Sequence, residues 1–229
     1  MTKVEEYKEI ERNITLVTKS REIELNIVDH ETKLGLKAKI KLTNLDSRDE
    51  VTIDEEAGRD GRYSVKLKEG NSYNVEINKI GYVFSDDQLS IPTAEQLTHD
   101  SLMSYEIKLQ PIKEGTKFIL KSIYFATDES KPLSTSKEEL DKVVGFMKQN
   151  KGAIIEISAH TDDVGDDEYN LILSEKRAQE VVGYLVANGI PSNRLKSIGH
   201  GKNKPVSKGT SEEERQKNRR VELKIIKIN

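Results

Sequence analysis

No cysteine occurs among the 229 residues. Disulfides, thiolate chemistry and cysteine-ligated zinc are therefore excluded. Tryptophan is absent too, and aromatic residues make up only 5% of the chain. No apolar run approaches the roughly 20 residues that a membrane-spanning helix requires. The first residues, MTKVEEYKEIERN, lack the apolar centre of an export signal. Nor is there an excess of positive charge. The 37 Lys and Arg against 40 Asp and Glu leave a net charge of -3, which argues against a nucleic-acid backbone as a general partner.

Chemical motifs are missing as well. The four histidines, His30, His99, His160 and His200, show no paired metal-binding spacing. No nucleophile elbow surrounds Ser158 or Ser174. The segment Gly199-His200-Gly201-Lys202 is too short for a phosphate loop. The acidic stretch 162–168 lacks the EF-hand spacing, and acids there suit a helix N-terminus. The basic run 215–220 has no interleaved aromatics and follows three glutamates. The expectation is a protein without catalytic residues, metal or cofactor. His160 is read as orienting a strand-end loop through hydrogen bonds.

What the chain does have is patterning. Hydrophobic residues form 34% of it, a lean share, but they are strongly ordered, so disorder is not the reading. Period two holds at Ile23, Leu25 and Ile27, at Ala38, Ile40 and Leu42, and at Tyr63, Val65 and Leu67. It recurs at Tyr73, Val75 and Ile77 and at Tyr105, Ile107 and Leu109. With turn residues between, this predicts an antiparallel β-sandwich over residues 14–112, after a tail over 1–13. The stretch 60–82, with G-x-Y-x-V-x-L, a tight turn, Y-x-V-x-I and Gly81-Tyr82, resembles the carboxypeptidase-regulatory-like fold. That resemblance implies a transthyretin-like sandwich acting as a spacer or docking unit; Tyr63, Tyr73 and Tyr82 suit core and sheet-face positions, with the wall of a ligand groove as the alternative.

After the boundary PIKEGT at 111–116 the pattern changes. A strand is expected over 118–125. A helix should begin at Ser136, with Glu139 as its capping-box partner. A second strand follows over 153–159, a second helix over 168–188 with Gly189 as its stop, and strands over 195–199 and 219–228. In the last, Val221, Leu223 and Ile225 share one face. The result is a two-layer α+β domain over 113–229, in the order β-α-β-α-β-β.

At the end of the second strand stands Asp162, and on the next helix Asn170, Ser174 and Arg177 share one stripe. A carboxylate facing a guanidinium suits a ligand bearing both an amine and an acid. The same two residues also suit a structural ion pair between strand end and helix, and the residues alone leave both readings open.

The elements I-x-I-S-A-H-T-D (155–162), Gly165, Asn170, L-S-x-x-R-A (173–178), G-I-x-x-x-R-L (189–195), G-x-G (199–201) and N-R-R-V-E (218–222) occur in that order. Together they resemble the OmpA-like peptidoglycan-binding domain, the carboxy-terminal domain family of OmpA, MotB and Pal. One departure is Ala159, where that family usually has Gly. The resemblance implies non-covalent binding of the meso-diaminopimelate of a peptidoglycan stem peptide. Asp162 and Arg177 would be the principal contacts. Asp128, Asn170 and Leu173 would line the pocket, Arg219 would face it from the start of the last strand, and Thr161 would offer its hydroxyl or backbone N–H. It further implies a periplasmic place beside the outer membrane and wall, with an export signal or upstream region outside this chain. Other envelope proteins could dock on the sandwich, and an interaction module with wall binding secondary is the alternative.

Overall fold

The computed structural model describes residues 19–96 and 102–228. The tail expected over 1–13 and the start of the sandwich at Ile14 lie outside these. Seven strands form the first unit: β1 (Ser20–Asp29), β2 (Lys39–Asn44), β3 (Glu50–Ile53), β4 (Arg62–Lys68), β5 (Ser72–Asn78), β6 (Ser85–Ser90) and β7 (Met103–Leu109). They make two sheets, ordered β4-β1-β7 and β3-β2-β5-β6. The period-two residues of both sheets meet in one apolar cluster, with Ile23, Leu25, Ile27, Ile40, Leu42, Val75 and Ile77 fully buried. Each such side chain contributes on the order of 1.5–3 kcal/mol. Tyr63 and Tyr73 are buried in it, and their hydroxyls accept from Ala38 N (2.6 Å) and Lys68 N (3.0 Å).

One expectation fails here: the unit is not wholly antiparallel. β1 and β7 run parallel, Ile23 beside Met103 through Asp29 beside Leu109. A parallel pair needs a long crossover, and the intervening chain supplies one by building the entire opposite sheet. Strands β3 and β6 were not expected. β3 buries no residue and β6 only Leu89, which shows why: an edge strand with little to bury carries no hydrophobic alternation.

The second unit contains β8 (Lys117–Leu120), α1 (Lys137–Gln149), β9 (Ala153–Ala159), α2 (Asp167–Ala187), β10 (Leu195–Gly199), α3 (Glu212–Asn218) and β11 (Val221–Ile228). Its sheet is ordered β10-β9-β11-β8, with β9 and β10 parallel. Helices α1 and α2 cover one face, burying Val143, Met147, Val181 and Leu185 against Ile155, Ile157, Val221 and Leu223. Gly189, at φ +91, ends α2 while Ile190 N bonds back to Leu185 O (3.1 Å).

Three local expectations are corrected. The first strand stops at Leu120, because its partner β11 begins at Val221, directly opposite. The last strand starts two residues late because 212–218 is helical. Ser211 caps α3 by accepting from Glu214 N, three glutamates fill its first turn, and Arg215 and Lys217 its last. The capping box at Ser136 does not form. Ser136 Oγ instead accepts from Tyr124 N (2.8 Å), and Glu139 accepts from Lys121 N (3.1 Å). Both side chains pin the loop 121–136 to α1.

The units are joined by more than the linker. Phe84, of the first unit, packs edge-on against Phe118 (5.5 Å) and Phe146 (6.1 Å) of the second. Gly81 N donates to Asn150 Oδ1 (2.9 Å), and Lys142 Nζ sits 2.7 Å from Asp86.

Candidate functional site

At the carboxy-terminal end of β9 the chain leaves the sheet as His160-Thr161-Asp162. Loop 121–136 and helices α2 and α3 converge on the same point. Between them lies a cavity of about 390 Å³. All seven residues expected there, Asp128, Thr161, Asp162, Asn170, Leu173, Arg177 and Arg219, line it. Phe125, Tyr169, Glu212, Arg215 and Gln216 line it too and were not foreseen. Three of these five sit on α3, whose helical character no hydrophobic stripe announces.

Arg177 is the centre of the site. It is only 6% exposed, and its guanidinium lies over the Phe125 ring at 4.7 Å. Its Nε donates to Glu129 O (2.9 Å) and its Nη2 to Ala126 O (3.4 Å). These partners are neutral carbonyls, and Nη1 has no partner among the described residues. Burial lowers the guanidinium's pKa, and the nearby charges of Asp162, Tyr169 and Asp128 oppose that only in part. A buried cation without a bonded carboxylate is costly, and its free edge faces the cavity.

Asp162 does not pair with Arg177. Its Oδ2 takes Arg219 Nη1 at 2.7 Å, and its Oδ1 accepts from Val164 N (3.1 Å). A carboxylate has about four acceptor positions, so these two bonds leave room for an ammonium. Arg219 is not part of the last strand, as strand parity predicted. It stands at the C-cap of α3 and reaches the cavity from there, also bonded to Glu212 and, at 2.6 Å, to Gln216. Burial works against its charge, but the bonds to Asp162 and Glu212 win and raise its pKa.

The remaining residues frame the site. Asn170 Nδ2 donates to Val164 O (2.7 Å), so it holds the loop 162–166 in place. Leu173 supplies a buried apolar wall. Asp128, at φ +59, bonds the Tyr169 hydroxyl and raises its pKa. Thr161 offers less than expected: its N–H is taken by Gly201 O (3.0 Å) and its hydroxyl donates to Asp162 O (3.1 Å). Ser174 ties α2 to the loop after β10, accepting from Gly201 N (2.8 Å). Arg215 braces Asp163 at 2.8 Å and holds its carboxyl below the usual range.

His160 departs from its expected role. Both ring nitrogens are buried without a hydrogen bond, and the ring packs against His200 with centroids 5.0 Å apart. Burial, then the Arg220 cation, pull its pKa down to about 4.

Known proteins share sequence with this chain. A family model described as the OmpA family matches residues 124–219, a span that includes all seven expected residues. An outer membrane porin F from Pseudomonas fluorescens is 34% identical over 103 residues, which are 45% of this chain and 32% of that protein. The chain spans less than a third of the length of some curated relatives it matches, 15% of one and 32% of another. A crystal structure of the peptidoglycan-associated lipoprotein from Burkholderia pseudomallei aligns at 32% identity, covering 45% of this chain and 88% of that one, with a TM-score of 0.43. The peptidoglycan-associated lipoprotein of Buchnera aphidicola is 30% identical over 134 residues, 58% of this chain and 75% of that protein. With a relative of that identity so largely covered, and the family model placed over the site, this chain belongs to the OmpA family.

Proposed function

We propose that the chain anchors an envelope assembly to the cell wall by holding peptidoglycan non-covalently, through the diaminopimelate head of the stem peptide. The family's domains are non-enzymatic anchors. The single observation that carries the finer reading is the buried Arg177 guanidinium, short of a carboxylate, facing the same cavity as Asp162. A ligand carboxylate would meet the Arg177 edge, and its ammonium the unused acceptor positions of Asp162. Arg219, already on Asp162, would turn toward a second ligand carboxylate. Residues 14–112 serve as a spacer or docking unit and 113–229 as the wall-binding unit, in the periplasm beside the outer membrane. Weak single contacts suffice, because the wall presents many equivalent stems and avidity compensates.

Calorimetric titration with meso-diaminopimelate tests this. Binding is expected for the native chain and its loss in Asp162→Ala and Arg177→Ala. Undiminished binding by both variants would reject the site.

A further inference from the structure

A second cavity, of about 760 Å³, opens between the two units. One wall is the outer face of β2, β5 and β6. Strand register aligns Lys41, Glu76 and Asp86 in one row and Thr43, Asn74 and Gln88 in the next. The facing wall is α1 and loop 121–136, including Tyr124, Thr135 and Gln149.

The charged row is committed. Lys142 Nζ lies 2.7 Å from Asp86 and 3.9 Å from Glu76, and Lys41 lies 2.7 Å from Glu50. The neutral groups are not. Among the described residues Thr43, Gln88, Tyr124, Thr135 and Gln149 make no side-chain hydrogen bond. Asp86 Oδ1 is buried without a partner, and Tyr124 is 42% exposed. Amides and hydroxyls offer donors and acceptors together, and an exposed aromatic ring offers an apolar face with a polar edge. That combination fits a neutral, polyhydroxylated ligand. A polyanion is disfavoured, since the lining carries six carboxylates against three basic side chains.

Consecutive residues divide between the two cavities: Tyr124 lines this one and Phe125 lines the Asp162 cleft. We propose that the cleft between the units binds the amino-sugar glycan strand of the wall polymer while the stem peptide enters the Asp162 cleft. The choice of this glycan rests on the wall-binding reading.

The test uses the full chain and peptide-free glycan strands, prepared by amidase digestion of sacculi, with free diaminopimelate titrated separately. The native chain should bind the strands. The double variant Gln88→Ala/Tyr124→Ala should weaken that binding at least tenfold and leave diaminopimelate affinity unchanged. Gln88→Glu, which keeps the side chain's length, should weaken it too. Asp162→Ala should show the reverse pattern. Strands that fail to bind the native chain, or bind the double variant equally well, overturn the inference. Strand binding that persists when diaminopimelate fails to bind supports the glycan site and defeats the stem-peptide reading alone.

Discussion

The two units carry different amounts of buried polarity. In the first, the buried polar side chains among the described residues are Asp29 and Asn44. Both serve turns: Asp29 accepts from Glu31 N, Thr32 N and the Tyr82 hydroxyl, and Asn44 accepts from Asp46 N and Ser47 N. In the second unit the buried polar set includes Glu139, His160, Thr161, Asn170, Ser174, Arg177 and Arg220, most of them around the end of β9. Burying such groups costs stability unless their bonds are made. The first unit keeps these two side chains local, though Asn44 Nδ2, like Asp86 Oδ1, is buried without a partner. The second carries a guanidinium without a bonded carboxylate and an imidazole without any hydrogen bond, which is where a ligand or a proton has most to gain.

The strongest way to break this contrast is to separate the units. Phe84→Ala removes the aromatic plug between Phe118 and Phe146. A loss of about 3 kcal/mol is expected, at the low end for Phe→Ala because the ring is half-buried. Calorimetry should then resolve two unfolding transitions, and one transition at an unchanged midpoint would refute the plug.

Acid should act on the units at different pH. His160 is neutral in the fold, its pKa lowered from 6.5 to about 4 by burial and then by Arg220, with Glu222 opposing and His200 and Lys204 adding to the drop. The unfolded chain binds that proton first. The stabilisation is therefore full above pH 6.5 and lost as pH falls toward 4, by on the order of 3 kcal/mol. His160→Phe should flatten the slope of denaturant stability across that window.

Arg177→Lys sharpens the comparison at the site. A lysine keeps the charge but cannot hold the two carbonyls and also present a planar edge. A roughly 10- to 100-fold weaker diaminopimelate affinity is expected, about 1.4–2.7 kcal/mol. Equal affinity would mean that charge alone recognises the ligand.

The smallest effect belongs to the first unit. Asp29 has its pKa lowered from 3.8 to about 2, chiefly by the Thr32 N–H and then the Tyr82 hydroxyl. Its contribution is present above pH 3.8 and fades only as pH falls toward 2. Asp29→Asn should leave the window between pH 4 and 6.5 untouched and remove only this lower step, as read by acid titration of the circular dichroism signal.

Much of the fold was legible because periodicity is local. The strand at 153–159 and the helix over 167–187 follow from side-chain spacing within a few residues, and the stripe Asn170, Ser174 and Arg177 follows from the helical turn. Edge strands β3 and β6 were not legible, having almost nothing to bury. Helix α3 was read as a basic run. Its signal, Ser211 with Glu214 three residues later, was present but short.

By itself the sequence determined which faces are apolar, where the main strands and helices lie, and that an acid and a base stand near one another at a strand end. Only the tertiary structure decided that Asp162 bonds Arg219, 57 residues away, and not Arg177. It alone set β1 parallel to β7, sent Ser136 and Glu139 to a loop instead of a helix cap, and seated Phe84 in the neighbouring unit's core. The reason is one of range. A residue's neighbours along the chain dictate its backbone and its face, whereas its bonding partner depends on which distant segments the closing of loops and the burial of apolar faces bring alongside.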